Sequence, residues 1–422
     1  MEHGQTASVE MNPDFGATWS VTPPSAGTRG GAQAPARFWP HDLLLGLMPL
    51  VLCAQLFIGA AQLPQATRGI ADFRQLYAGG FMIRTGHAAE LYDYEAQRKF
   101  EDRIAPLEKS RILPINHFAF EELLFVPFSF FPYKTAYWLF FVFNFGLLGL
   151  SLRFLKRRLG VLSQRWAWFP PLLLLAFRPI VWTLVNGQDS ILTLALLAGA
   201  LFALDQSCEF AAGILVGAAM YKFQIVLPIA LLFLIWHRWR FCCGFAASAV
   251  VAGLMSLWIV GFHGMVQYAH TMADMSMHLV SQEAITRYGA SPLHMLNLRS
   301  AVLVTLGRVL PQSACLVVIG LASVAVLWAA AKRGPSLPNA ITAAALVSYH
   351  FLPHDASILL IPTIAALSSG SVVLGAMAAL LLLSSMITSI VWTYNSVVAL
   401  VILVFFIVTI RTESSSTKLV FA

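Results

Sequence analysis

Isolated polar side chains interrupt an otherwise apolar chain of 422 residues at a small number of positions. Asp72 is an early example, in the segment Ile70-Ala71-Asp72-Phe73. A carboxylate at the mouth of a cavity is able to act as a general base, taking the proton from an attacking hydroxyl group. A structural interpretation competes with this one, because an aspartate at such a point also caps a helix or closes a loop.

Two basic groups in apolar surroundings are candidates for holding an anion. Lys222 lies between two apolar stretches, where a cation is costly unless it is paired or binds a charged group; the alternative is that its long side chain snorkels to the interface. His354 and Asp355 follow Pro353 and are predicted at a helix start. An imidazole beside a carboxylate would hold a proton and grip an anion there, although a capped helix start with an incidental histidine explains the same residues.

Three polar motifs are candidates for contacting a substrate. Tyr92 and Asp93 could contact a sugar by stacking and hydrogen bonding, or could be a packed tyrosine above a helix-starting aspartate. The segment Asn186-Gly187-Gln188-Asp189 joins two apolar stretches almost without a loop. Its amides and carboxylate could contact substrate, whereas a plain turn followed by a helix cap is the alternative. Gln224 lies beside Lys222 at a predicted hairpin junction.

The sequence predicts no metal site and no cofactor. The five cysteines show neither CxxC spacing nor clustering with histidine. His270, Asp274 and His278 recur every four residues, with methionines on the opposite helix face. An amphipathic helix lying in the membrane interface explains both faces better than a metal site does.

Long apolar segments must position these groups. Hydrophobic residues make up 58% of the chain and charged residues 11%, with a mean hydropathy of +0.73, far from the composition of soluble domains. Runs of about 20 residues, long enough to cross a hydrocarbon core of roughly 30 Å as a helix, exclude a soluble enzyme, a secreted disulfide-rich domain and a nucleic-acid binder. The sequence predicts an all-α polytopic membrane protein with about 10 to 12 transmembrane helices and additional helices in its outer loops.

Twelve spans are predicted from hydropathy and charge. They are 42–62, 132–152, 167–185, 189–205, 211–222, 223–236, 241–262, 312–331, 338–351, 354–368, 371–390 and 394–410. Residues 1–40 are predicted to be a disordered cytoplasmic tail, 41–411 a single transmembrane domain with outer loops 63–131 and 263–298, and 412–422 a second cytoplasmic tail.

The distribution of charge predicts the orientation. With the N-terminus in the cytoplasm, the short basic loops, including 153–165 and 238–240, all lie on the inner side, as the positive-inside rule requires. The net charge of +7 then reports loop orientation and anionic headgroups rather than nucleic acid. The unusual polar residues gather on the outer side, which predicts a site facing the periplasm of a multi-pass inner-membrane protein. Transporters instead prefer midplane sites on broken helices.

The order and spacing of these motifs resemble the membrane glycosyltransferases of the GT-C superfamily, and within it the polyprenyl-phosphate-mannose-dependent alpha-1,2-mannosyltransferase-like family. The motifs that carry the resemblance are Ala71-Asp72-Phe73, Gly86, Leu91-Tyr92-Asp93, Phe125-Val126-Pro127-Phe128, Asn186-Gly187-Gln188-Asp189, Gly213-Ile214-Leu215-Val216-Gly217, Tyr221-Lys222-Phe223, His354-Asp355 and Leu359-Leu360-Ile361-Pro362. One departure is the segment 115–121, where the family often has an aromatic-rich Tyr-Pro-Pro segment that lines the acceptor side.

The resemblance implies that Asp72 is the catalytic base and that the donor phosphate lies near Lys222 and His354, with Arg299 and Arg178 as weaker phosphate-binding candidates. It implies inverting transfer of a hexose such as mannose from a polyprenyl-phosphate donor to a lipid or glycan acceptor, among membrane lipids. A transporter or lipid flippase is the competing class, and a non-catalytic assembly subunit is a third. Since Lys222 is a candidate for holding the donor phosphate, Lys222→Met should weaken donor binding strongly while folding stays near normal.

The predicted topology is tested by cysteine accessibility. In a cysteine-free background, Arg158→Cys and Ala290→Cys should be labelled by a membrane-impermeant thiol reagent from opposite sides of the membrane, because an odd number of spans separates them in the twelve-span topology. Labelling of both positions from the same side would contradict that topology.

Overall fold

A computed structural model describes residues 46–104, 113–163, 169–278, 291–386 and 395–420. Within these ranges the chain is helical between its turns and contains no strand. Leucine, alanine, valine and isoleucine dominate the helices, and in lipid a helix satisfies its own backbone hydrogen bonds. The prediction of an all-α polytopic membrane protein is confirmed.

The α-helices of the described residues are numbered here in chain order. The first part of the chain forms α1 Met48–Gln65, α2 Phe73–Arg84, α3 Tyr94–Ile104, α4 Ala119–Glu122, α5 Tyr133–Phe154, α6 Lys156–Ser163, α7 Phe169–Ala176, α8 Arg178–Asn186 and α9 Ser190–Asp205. The second part forms α10 Glu209–Ala218, α11 Phe223–Ile235, α12 Trp239–His278, α13 Leu298–Thr305, α14 Gln312–Arg333, α15 Leu337–Val347, α16 Leu360–Ser368, α17 Val372–Ser384 and α18 Asn395–Val420.

Each predicted span overlaps at least one of these helices, but several helices are shorter than the prediction required. Among the described residues, five helical segments are long and apolar enough to cross a membrane: Met48–Arg84, Tyr133–Phe154, Trp239–Met275, Gln312–Arg333 and Asn395–Thr412. Helices α10 and α11, bent by 68°, make a sixth if they count as one span. Other apolar helices have 10–17 residues, which at 1.5 Å per residue covers only about 15–25 Å of the hydrocarbon core.

The predicted loops and tails are partly helical. Helix α1 passes through a π-helical turn, Ala66–Ile70, into α2, so the first outer loop begins inside a helical segment. Helix α12 breaks at Gly261, whose φ of 70° is left-handed, and then continues to His278 in the second outer loop. Helix α18 continues through residues 412–420 of the predicted C-terminal tail. The predicted N-terminal tail, 1–40, lies outside the described residues.

Buried polar contacts hold together the segment 63–131, the predicted first outer loop. The Nε of Arg74 in α2 lies 2.9 Å from Oε2 of Glu101 in α3, and both side chains are almost fully buried. Glu101 also accepts a hydrogen bond from the backbone N–H of Leu113, and Gln97 accepts one from that of Ile115. These contacts hold the extended stretch 113–117 in place, and that stretch leads directly into the site described below.

Glycines bring α10 into close contact with α12. A Cβ atom on Gly213 would lie 2.0 Å from the carbonyl oxygen of Phe241, and one on Gly217 would lie 2.7 Å from that of Phe245. Gly244 faces α10 in the same way. Small residues at such an interface allow backbones to pack closely in a membrane. This packing sets the position of α10 and therefore of the turn that follows it, which carries Lys222.

Gly213→Ala should lower the thermal unfolding midpoint of the detergent-solubilised protein. The added methyl group collides with the Phe241 backbone, which cannot rotate away as a flexible side chain would. Gly253→Ala in α12 is the matched control, since nothing lies within 4 Å of its Cβ position and alanine gains about 1 kcal/mol of helix propensity over glycine. Equal midpoints for the two variants would contradict the close contact.

Candidate functional site

A cavity of about 310 Å³ lies where the helices are interrupted. Its wall includes the end of α1, the start of α2, the stretch 113–117 and the breaks around residues 186, 222 and 353. Most of the predicted site residues line it: Asp72, Asn186, Gln188, Lys222, Gln224, His354 and Asp355. Residues far apart in sequence thus face one cavity.

Asp72 lies at the break between the π-helical turn and α2. It is half-buried and occupies the N-cap position of α2, but its side chain makes no capping hydrogen bond. Instead, Oδ2 of Asp72 accepts a hydrogen bond of 3.0 Å from Nε2 of Gln188. The structural interpretation of Asp72 as a helix cap therefore does not describe its side chain, which lines the cavity.

The turn 186–189 connects the two ends of the site. Gly187 has a left-handed conformation, φ 63° and ψ 42°, which favours glycine. A Cβ atom there would lie 2.6 Å from the Cβ of Phe73, so the turn packs directly on the residue after Asp72. Gln188 reaches Asp72 from this turn, while the next residue, Asp189, reaches Lys222.

Lys222 is buried between two carboxylates. It ends a 3₁₀ turn, Met220–Lys222, at the bend between α10 and α11, and only 1% of it is exposed. Its Nζ lies 2.9 Å from Oδ1 of Asp189 and 2.8 Å from Oδ1 of Asp355. Since the ammonium group is enclosed by acids, Lys222 does not snorkel to the interface.

Asp355 is held by several donors besides Lys222. Its Oδ2 accepts a hydrogen bond from the backbone N–H of Leu352, and its Oδ1 accepts one from the hydroxyl of Ser190. The Nε2 of His354 lies 3.6 Å from the same Oδ1. Pro353 and the neighbouring turn thus orient a fully buried carboxylate, and His354 is placed on the cavity wall beside it.

Several residues that were not predicted also line the cavity. Asn116, His117, His294 and His350 belong to this group. Burial lowers the pKa of His117 to about 4, with nearby Asp189 opposing the shift and Lys222 reinforcing it. Its imidazole is therefore neutral near pH 7. The sequence signals for His117 were its place among the polar residues on the predicted outer side and in the segment 115–121, which departs from the resembled family.

Behind His117 lies a group of buried acids. Its Nδ1 lies 2.6 Å from Oε2 of Glu121 and 3.7 Å from Oδ2 of Asp189. Burial raises the pKa of Glu121 well above its usual value, and the charge of Asp189 raises it further; Glu122 is shifted in the same direction for the same two reasons. Spacing along the sequence does not connect Asp189 with this pair.

Four predicted site residues do not line the cavity: Asp189, which contacts Lys222 instead, and Tyr92, Asp93 and Arg299. The hydroxyl of Tyr92 donates to the carbonyl of His117, at 2.7 Å, and Oδ1 of Asp93 accepts from the backbone N–H of Ala96 at the start of α3. For Tyr92 and Asp93 these contacts match the structural alternatives. Arg299 is buried in α13. The weaker candidate Arg178 donates to Gln55.

The methionine face of α12 packs inward. Met272 and Met275 are buried in the cluster that contains Tyr92, whereas His270 and Asp274 are exposed on the other face. The side chain of His278 lies outside the described residues. The amphipathic pattern in this segment thus reflects packing against the first outer segment.

Lys222→Met should reduce the free energy of unfolding by about 3–5 kcal/mol, because it leaves two buried carboxylates without their counter-ion. The buried ion triad therefore argues against the near-normal folding that the sequence predicted for this variant. Lys134→Met, at an exposed lysine, should change stability by less than about 0.5 kcal/mol. Chemical unfolding in detergent measures both, and the double variant Lys222→Met/Asp189→Asn should lose less than the sum of the two single changes. Similar stabilities for Lys222→Met and Lys134→Met would contradict the buried triad.

Comparison with known protein families identifies the family of this chain. Residues 120–362, more than half of the chain, match glycosyltransferase family 87. Among curated proteins and solved structures, none matches this chain. The matched region contains the 186–189 turn, Lys222 and the His354-Asp355 pair, and Asp72 precedes it. The chain is a membrane glycosyltransferase and belongs to glycosyltransferase family 87.

Proposed function

We propose that this glycosyltransferase moves a hexose, such as mannose, from a polyprenyl-phosphate donor to a hydroxyl group of a lipid or glycan acceptor. Transfer takes place at the outer face of the inner membrane and inverts the anomeric configuration. Family membership supplies the reaction class. The donor, the sugar and the sidedness rest on the resemblance, on the charge distribution and on the residues of the cavity.

The contrast between two acids carries the assignment of the base. Asp72 and Asp355 are the carboxylates that line the cavity in the described part of the chain. Asp355 is fully buried and accepts hydrogen bonds from Lys222, the backbone of Leu352 and Ser190. Asp72 is half-buried and accepts one hydrogen bond, from Gln188. A general base needs access to the proton that it removes, and Asp72 has that access.

Lys222 and His354 are proposed to bind the donor phosphate. An ammonium group has three N–H donors, and Asp189 and Asp355 account for two of those of Lys222. The third is proposed to donate to a phosphate oxygen in the cavity that Lys222 lines. His354 lies on the same wall, whereas Arg299 does not line the cavity and has no part in this assignment.

Transfer then follows a single displacement. Asp72 takes the proton of the acceptor hydroxyl while its oxygen bonds to the anomeric carbon. The bond from that carbon to the phosphate oxygen breaks on the opposite face, and the electron pair leaves with the phosphate. Fixed cations stabilise the developing charge of the leaving group. One carboxylate suffices, because inversion needs no covalent intermediate.

The other polar groups of the wall are proposed to orient the reactants. Gln188 holds Asp72 through its amide N–H, and Asn186 and Gln224 offer amide groups to sugar hydroxyls. The stretch 113–117, which replaces the aromatic segment of the resembled family, also lines the cavity. It is proposed to contact the acceptor.

Asp72→Asn should reduce single-turnover sugar transfer by about 10²- to 10⁴-fold, the usual contribution of a general base. Asparagine keeps the shape and still accepts the Gln188 hydrogen bond, so donor binding should stay near normal. Asp72→Glu should recover little activity, because one extra methylene displaces the carboxylate from the reacting hydroxyl. Transfer from a labelled polyprenyl-phosphate hexose is measured beside donor binding on the same preparations.

Asp93→Asn is the matched control, since this acid lies in the same outer segment, caps α3 and does not line the cavity. It should retain transfer within a few-fold of the parent. If Asp72→Asn behaves like Asp93→Asn, Asp72 is structural and the proposed mechanism fails. Movement of the intact labelled lipid across vesicles without any transfer would instead support the flippase alternative.

A further inference from the structure

Three potential metal ligands converge beside the cavity. They are Nδ1 of His117, a carboxylate oxygen of Glu121 and a carboxylate oxygen of Asp189, and all of these atoms lie within 4.8 Å of one another. His117 and Glu121 flank the start of α4, while Asp189 comes from the turn before α9. All three side chains are buried. Folding therefore brings together ligands from two separate parts of the chain.

Buried carboxylate oxygens in this group lack hydrogen-bond donors. Oε1 of Glu121 accepts no hydrogen bond, and neither oxygen of Glu122 accepts one, although Glu122 is completely buried. A buried carboxylate without a donor or a counter-ion is costly. Asp189 and Asp355 add two more acids, and Lys222 is the ammonium group that contacts them in the described residues. In the described residues this cluster thus contains four acids, Glu121, Glu122, Asp189 and Asp355, and one ammonium group.

The position of Lys222 leaves one side of Asp189 available. Lys222 contacts Oδ1 of Asp189, whereas Oδ2 is the atom that faces Nδ1 of His117, at 3.7 Å. Asp189 is therefore able to hold the lysine with one oxygen and a metal ion with the other. His117 lies on the cavity wall, which gives an ion a route to the cluster.

We propose that His117, Glu121 and Asp189 form a binding site for one divalent cation, with the carboxyl group of Glu122 nearby. One imidazole nitrogen with two carboxylate oxygens suits Mn²⁺ or Zn²⁺ better than a thiolate-selecting ion. Ligand atoms that each lie about 2.1 Å from a metal stand about 3 Å apart or more, so the 2.6 Å contact between His117 and Glu121 must open slightly. The proposal concerns binding and does not depend on the sugar donor or on the transfer mechanism.

Metal titration of the full-length protein in detergent tests this site. The protein is stripped with a chelator and titrated with Mn²⁺, and the loss of the free-ion electron paramagnetic resonance signal gives the stoichiometry. We expect one tight site per chain, displaced by Zn²⁺, and a nitrogen coupling from a histidine ligand in the bound spectrum. His117→Asn and Glu121→Gln should each weaken binding by at least about tenfold, as changes around metal sites commonly do.

An exposed pair of the same residue types provides the control. Nδ1 of His87 lies 3.6 Å from Oε1 of Glu90, with both side chains largely in solvent, so His87→Asn and Glu90→Gln should leave the tight site unchanged. The absence of stoichiometric binding to folded parent protein would overturn the proposal whether or not the variants fold. Equal binding by parent and Glu121→Gln, or loss in the His87 control, would overturn it as well. No sugar donor is present, so the outcome is independent of the proposed transferase mechanism.

Discussion

The ammonium group of Lys222, buried between Asp189 and Asp355, is the interaction on which the rest of the site depends. It joins the bend between α10 and α11, the turn before α9 and the turn after α15, three segments that are distant in sequence. An ionised group in an apolar interior is tolerated only when its partners are close and fixed. The same requirement that stabilises the ion triad therefore fixes the walls of the cavity.

The cavity exists because several helices are interrupted, and their interruptions lie next to one another. A π-helical turn precedes Asp72, a left-handed glycine ends α8, and a 3₁₀ turn carries Lys222. Irregular backbone is acceptable at membrane depth where it is enclosed by protein or lines a polar cavity. Each interruption places a polar side chain, Asp72, Gln188 or Lys222, on the wall of this cavity.

Environment, rather than residue type, separates the roles of the acids. Asp355 and Asp189 serve the buried lysine, Asp93 caps a helix, and Asp72 alone among these four is half-buried on the cavity wall with a single amide donor. Glu121 and Glu122 lie deeper still, where burial and neighbouring charge favour their neutral forms. A carboxylate that accepts a proton from a bound hydroxyl must be reachable, which is why Asp72 is the acid proposed for that role.

Hydropathy alone was enough to predict an all-α membrane protein and the approximate position of the apolar helices in the predicted spans, because an apolar run in lipid has few other ways to satisfy its backbone. It also marked Asp72, Gln188, Lys222 and Asp355, since polar groups are conspicuous against an apolar background. Local pattern could not show that Lys222 is enclosed by acids, that Tyr92 and Asp93 bond to the backbone, or that His117 meets Asp189. Those relations join residues more than 70 positions apart in the case of His117 and Asp189, and no periodicity encodes them. Only the packing of helix breaks against one another brings such groups close together, because long-range contact depends on how the whole chain fills space.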